Sequence, residues 1–169
     1  TGHRGCRQAP TRAAESGTCT YATASALGLL DAELTVREAA DRCTAAVFCL
    51  DLFEKQQQID RKEPAANASG FLISSDGVAV TNYHSLEDGV YALATFSTGE
   101  SYPVESVLYY DTEIDIAVVR LAKTSITGKE VSAFSYLELA GTEDVRPGDT
   151  VYAIGNPLGL GLAVSSGVV

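Results

Sequence analysis

The spacing of apolar residues changes along this chain, first near residue 44. Ahead of that point, Thr35-Val-Arg-Glu38 has the pattern of a capping box, in which a Thr hydroxyl and a Glu carboxylate satisfy each other's orphan backbone amides. A short helix of about two turns is predicted from Val36 to about Cys43. Beyond it the period falls to two. Val47 to Phe53 is β-branched and aromatic enough for a strand, with Asp51 interrupting an apolar run. Lys55 to Ser69 is polar, contains Pro64 and reads as a loop. Phe71 to Ser74 and Val78 to Thr81 flank Ser75-Asp76-Gly77, whose Asp-Gly step is a strong hairpin signal. Tyr91 to Ser97 and Ser101 to Tyr109 flank a second turn at Thr98-Gly99-Glu100. Ile116 to Leu121 is apolar on both faces, as a central strand buried on both sides would be. Six strands so close together make an all-β chain, with the strand density of a small antiparallel barrel or sandwich.

The pattern changes again after residue 121. Residues 122–144 form a polar connector, and Val145-Arg-Pro-Gly148 adds a turn. Two more strand-like runs follow, Thr150 to Ile154 and Leu162 to Val169, separated by the glycine-rich stretch from Gly155 to Gly161. This organisation predicts one complete β-barrel and the opening hairpin of a second. Strand edges and side chains such as Val151, Ile154 and Val168 would then favour either self-association or packing of the hairpin on its own barrel. A homo-oligomer is one expected outcome.

Composition narrows the function. The 169 residues include 22 Asp and Glu against 12 Lys and Arg, a formal net charge of −10. Nucleic acid and anionic membrane surfaces both demand a basic face, so neither is the expected partner. No apolar run approaches the roughly 18 residues that would cross a bilayer as a helix. With 46% hydrophobic and 20% charged residues, the balance is that of a packed core. Residues 1–30 run against the acidic trend, with Arg4, Arg7 and Arg12 against Glu15 alone, and are rich in small residues. They are expected to be a flexible leader, with the remnant of an export region as the alternative. Methionine is absent even at position 1, which sets the expectation of a processed product or a fragment. The tripeptide Asn67-Ala-Ser69 matches a glycosylation acceptor, a pattern too short to mean anything outside a secreted eukaryotic chain.

The four cysteines, Cys6, Cys19, Cys43 and Cys49, contain no C-x-x-C pair. Four cysteines permit three disulfide connectivities, and spacing does not choose among them. A zinc site is disfavoured, although Cys6 and Cys19 with His3 could supply half of one. Cys49, within an apolar run, is expected to be a small buried apolar residue. No metal or cofactor is expected.

Of the two histidines, His3 falls in the leader, whereas His84 follows directly on the strand Val78 to Thr81. A histidine at a strand exit can be aimed into a cleft by a rigid scaffold. Asp111-Thr-Glu-Ile-Asp115 precedes the strand Ile116 to Leu121. Asp111 suits a turn that caps its own backbone. Asp115, flanked by Ile114 and Ile116, is expected to be half-buried and to need a donor, since an unpaired buried charge is costly. A histidine and a carboxylate at two strand ends is the arrangement a Ser-His-Asp site requires.

Three ordered motifs carry a family resemblance. The stretch from Ser69 to His84, containing Gly70-Phe-Leu-Ile-Ser-Ser-Asp-Gly77 and Thr81-Asn-Tyr-His84, resembles the histidine region of HtrA/Deg-type trypsin-like serine proteases. Asp111-Thr-Glu-Ile-Asp-Ile-Ala-Val-Val119 resembles the aspartate region of that family. Val145 to Gly159, containing Gly155-Asn-Pro-Leu-Gly159, together with Val164-Ser-Ser-Gly167, resembles the entry into its second barrel. The resemblance spans about residues 45–169, and Ser85-Leu86 departs from the β-branched pair expected after the histidine. It implies a trypsin-like antiparallel β-barrel fold, with 35–121 the helix and first barrel, and it does not reach the expected leader, residues 1–34. Residues 122–144 would be a connector, and 145–169 the opening strands of an incomplete second barrel.

The resemblance also implies that His84 is a general base and Asp115 its orienting partner, acting on polypeptide substrates, in an exported or envelope-associated protein. The family's nucleophile lies in a Gly-x-Ser-Gly context that no serine here matches: Ser166-Gly167 has Val164, and Ser69-Gly70 has Asn67, where the first glycine belongs. By itself the chain is therefore expected to be inactive. The competing readings are a catalytically dead barrel serving as a binding or assembly module, and a small metal-binding protein using the leader cysteines.

Overall fold

The computed structural model describes residues 34–61, 63–87, 89–141, 145–155 and 162–169. His3, Cys6, Cys19 and the predicted leader lie outside the described residues, as does most of the Gly155–Gly161 stretch.

Helix α1 (Val36–Cys43) is started by the capping box the sequence predicts. Glu38 Oε2 accepts from the Thr35 amide and hydroxyl, both at 2.8 Å, and the Glu38 amide donates to Thr35 Oγ1 at 3.3 Å. Ala39 and Cys43, one turn apart, are its buried face. A 3₁₀ turn (Thr44–Ala46) leads into β1 (Val47–Phe53). The strands that follow are β2 (Ala66–Leu72), β3 (Val78–Thr81), β4 (Tyr91–Phe96), β5 (Ser101–Asp111) and β6 (Ile116–Leu121). They close into an antiparallel barrel in the order β1-β2-β3-β6-β5-β4.

Alternation along β1 puts Phe48, Leu50 and Leu52 inside, where Leu72, Ala79, Phe96, Tyr102, Val119 and Leu121 meet them. Gly70 is required by this packing: a Cβ there would lie 2.5 Å from the Phe48 ring. The outward face of β1 carries its polar break. Asp51 accepts from Asn67 Nδ2 at 2.5 Å and Thr95 Oγ1 at 3.0 Å, and Cys49 Sγ points at it at 3.4 Å. Cys49 is consequently on the outer face and only partly buried, and of the two described cysteines Cys43 is the buried one.

Two segments differ from the sequence-based expectation. The supposed loop from Lys55 to Ser69 holds a helical turn, α2 (Gln56–Arg61), and the first half of β2. Gln58 Oε1 accepts from the Glu54 and Lys55 amides at 2.9 Å and so starts the turn. The polar residues of β2 are tolerated because they face outward, Asn67 reaching Asp51. The stretch after residue 121 likewise does more than connect. Phe134 enters the barrel end, edge-on to Tyr102 with ring centroids 5.1 Å apart, and Val131, Tyr136 and Leu137 pack against the core. Its apolar residues follow no period, so periodicity could not reveal them. Phe134 also explains Gly77, where φ is +95° and a Cβ would meet the Leu121 carbonyl at 2.8 Å and the Phe134 ring at 3.3 Å.

Among the described residues the remaining strands, β7 (Thr150–Gly155) and β8 (Ala163–Val168), pair only with each other in a two-stranded sheet. This hairpin rests against α1 and β1. The Tyr152 hydroxyl donates to the Leu34 carbonyl, and Gly155 approaches Ser69 so closely that a Cβ would lie 3.1 Å from its Oγ.

Candidate active site

Strands β3 and β6 are antiparallel neighbours, with Thr81 opposite Ala117. The chain leaving β3 at Asn82 and the chain entering β6 at Asp115 therefore emerge at the same end of the barrel. This pairing brings together two residues far apart in sequence. His84 Nδ1 and Asp115 Oδ2 are 2.6 Å apart, and the His84 backbone amide donates to Asp115 Oδ1 at 2.8 Å. Both carboxylate oxygens are thus held by one residue.

The loops are shaped by local chemistry. Asp111 Oδ1 accepts from the Glu113 amide at 2.9 Å and the Ile114 amide at 3.2 Å, the self-capping turn expected of it. This turn delivers Asp115 in a left-handed conformation, φ 55°, the one positive φ at a non-glycine position among the described residues. On the histidine side, the Leu86 amide donates to the Tyr83 carbonyl at 2.8 Å and curls the chain back after the strand.

The His84 amide, and then its imidazole, hold the Asp115 carboxyl below the usual carboxylate range, so it is ionised at neutral pH. With Nδ1 engaged by that carboxylate, Nε2 is the ring nitrogen left to exchange a proton. The His84 side chain is 69% exposed and that of Asp115 40%, so the pair is open to an incoming reactant. Asp115 is less covered than its flanking isoleucines suggest. Ile114 and Ile116 point to solvent at the barrel end, and only Ala117, Val119 and Leu121 of β6 are buried.

Sequence reasoning missed two neighbours. Asn82 Nδ2 lies 3.1 Å from Asp115 Oδ2 and 3.3 Å from the Asp115 carbonyl, and Tyr83 stacks on Tyr110 with centroids 5.1 Å apart. The one available signal for Asn82 was its place between the end of β3 and His84. No group of three or more His, Cys, Asp or Glu side chains gathers into a metal site among the described residues. No described helix is long and apolar enough to cross a membrane.

Residues 68–169 match the family of the trypsin-like peptidase domain. The chain is 31% identical over 134 residues to the serine protease HTRA1 of Xenopus tropicalis, covering 79% of this chain and 27% of that protein. It is 37% identical over 113 residues to a probable periplasmic serine endoprotease, DegP-like, of Bartonella henselae, covering 67% of this chain and 21% of the relative. Among solved structures, the serine endoprotease from Yersinia pestis shares the fold with a TM-score of 0.65 at 21% identity, covering 82% of this chain and 45% of that one. The chain thus spans about a quarter of the length of the curated relatives it matches.

Proposed function

Because the chain belongs to the trypsin-like peptidase family, in its HtrA type, we propose that it is the N-terminal part of a serine endopeptidase, with His84 as general base and Asp115 as its orienting partner. The observation that carries this reading is the 2.6 Å contact between His84 Nδ1 and Asp115 Oδ2 on a pair open to solvent. In peptide hydrolysis, Nε2 of His84 takes the proton of a serine hydroxyl as the oxygen attacks the scissile carbonyl, and later returns it to the leaving amine. Asp115 holds the imidazole as the Nδ1–H tautomer and stabilises the imidazolium that forms. In the template protease, replacing this carboxylate by Asn lowers turnover by about 10⁴.

The nucleophile and oxyanion hole belong to residues beyond 169, and residues 145–169 open the barrel that carries them. Polypeptides are the substrates, and the mature protein works after export. Support for export comes from relatives whose names place them in the periplasm.

The test uses a longer chain carrying the downstream Gly-x-Ser-Gly segment. There, His84→Ala should abolish casein hydrolysis and leave the melting temperature nearly unchanged, whereas undiminished turnover would remove His84 from the role of base. Residues 1–169 alone should not react with a serine-directed fluorophosphonate. Stoichiometric labelling would mean that the chain holds its own nucleophile.

A further inference from the structure

We propose that Asn82 is the positioning residue that locks Asp115 against His84, bridging the side chain and the main chain of that aspartate with one amide group. The inference rests on the reading of His84 and Asp115 as base and partner, and concerns what keeps them in register.

One side chain reaches two atoms of the same residue. Asn82 Nδ2 is 3.1 Å from Asp115 Oδ2 and 3.3 Å from the Asp115 carbonyl oxygen. Both facing atoms are acceptors, so the amide nitrogen must be the atom turned toward them, since the amide oxygen would meet two oxygens. The two N–H groups of one amide can serve both acceptors. Oδ2 is also the atom that receives His84 Nδ1, so the Asn82 bond sets where the imidazole's acceptor stands.

Asp115 needs such a restraint. Its φ of 55° is left-handed, a region an aspartate enters as a single residue when its short side chain is held by local hydrogen bonds. Three consecutive residues act on it. The Tyr83 amide donates to its carbonyl at 3.3 Å, the His84 amide to Oδ1 at 2.8 Å, and Asn82 to both carbonyl and Oδ2. The backbone donors fix the carbonyl and Oδ1, each at one point, and neither reaches Oδ2. Asn82 does, and so ties the carboxylate to its own backbone.

Asn82 is exposed and lies just outside β3, so its replacement does not disturb the barrel interior. The measurement is the proton spectrum of residues 1–169 at low temperature and mildly acidic pH. There an Nδ1–H held by a carboxylate gives a resonance far downfield, identified as the one missing from His84→Ala. In Asn82→Leu, which matches the size without a donor, and in Asn82→Ser, which is too short to reach, the resonance should be lost. The barrel amide resonances should stay in place. A resonance kept at full intensity in either folded variant overturns the role of Asn82 and leaves the His84–Asp115 pair intact. Its absence from the unsubstituted chain overturns the pair itself, and the Asn82 proposal with it. Should Asn82→Leu lose the barrel amide pattern, Asn82→Ser decides.

Discussion

Two sheets built from the same kinds of residue behave differently in this molecule. Each strand from β1 to β6 has a partner on both sides, and Phe48, Leu50, Leu72, Val119 and Leu121 are shielded inside. Among the described residues the β7–β8 hairpin has one pairing and two open edges, and its Val151, Val168 and Val169 face solvent. Strand propensity is similar in the two. Closure is the difference: an alternating strand has one apolar face, and only a sheet curled on itself gives every such face an interior. A two-stranded ribbon stays marginal unless something covers it. Here α1 and β1 cover one side. The candidate site obeys the same rule, since His84 and Asp115 stand on the closed barrel and inherit its rigidity.

The contrast breaks most clearly in the core. Leu50→Ala removes a fully buried side chain and should cost about 3 kcal/mol in denaturant unfolding, from lost transfer energy and the cavity left behind. A loss no larger than that of a surface change would mean that the barrel interior is not the stabilising element.

A smaller effect lies where the β2–β3 turn is fastened to β6. The Ser74 hydroxyl and the Arg120 guanidinium, 2.9 Å from Asp76 Oδ2, pull the Asp76 carboxyl down to about 2 from 3.8. A group whose folded pKa is depressed lends stability above its unfolded pKa and loses it as pH falls through the folded one. The contribution should therefore be complete above about pH 4 and disappear toward pH 2. Both side chains are more than a third exposed, so solvent screening keeps it below about 1 kcal/mol. Asp76→Asn should flatten the acid limb of the stability curve between those limits. A curve parallel to that of the unsubstituted chain would show the turn to be held by other contacts.

The smallest effect sharpens the comparison from the other side. Val168 in β8 is 72% exposed, and Val168→Ala should change stability by no more than about 0.5 kcal/mol. A cost of several times that would mean that the hairpin is covered in solution by a second copy of the chain.

Much of the local structure is legible in the residues. The Thr35–Glu38 box, the alternation of Val47 to Phe53, the Asp76-Gly77 turn and the Asp111 self-cap each depend on partners within four positions, so pattern and composition suffice to find them. The amino-acid sequence also singled out His84 and Asp115 by their places at strand ends. It did not reveal Phe134 as a plug, because a single aromatic in a polar stretch has no period. Nor did it reveal α2, whose short turn depends on one glutamine side chain folding back on the chain.

The sequence by itself therefore determined most of the strand segments, where they turn and which two ionisable residues head the list for chemistry. Tertiary structure alone decided that β3 lies beside β6. That pairing closes a loop of more than thirty residues, and no neighbour-by-neighbour preference encodes it. From it follow the 2.6 Å contact of His84 with Asp115, the left-handed backbone of Asp115 and the reach of Asn82 to two of its oxygens. Exposure of the pair was decided there too, because isoleucines that read as buried in a line of sequence point outward at the end of a barrel.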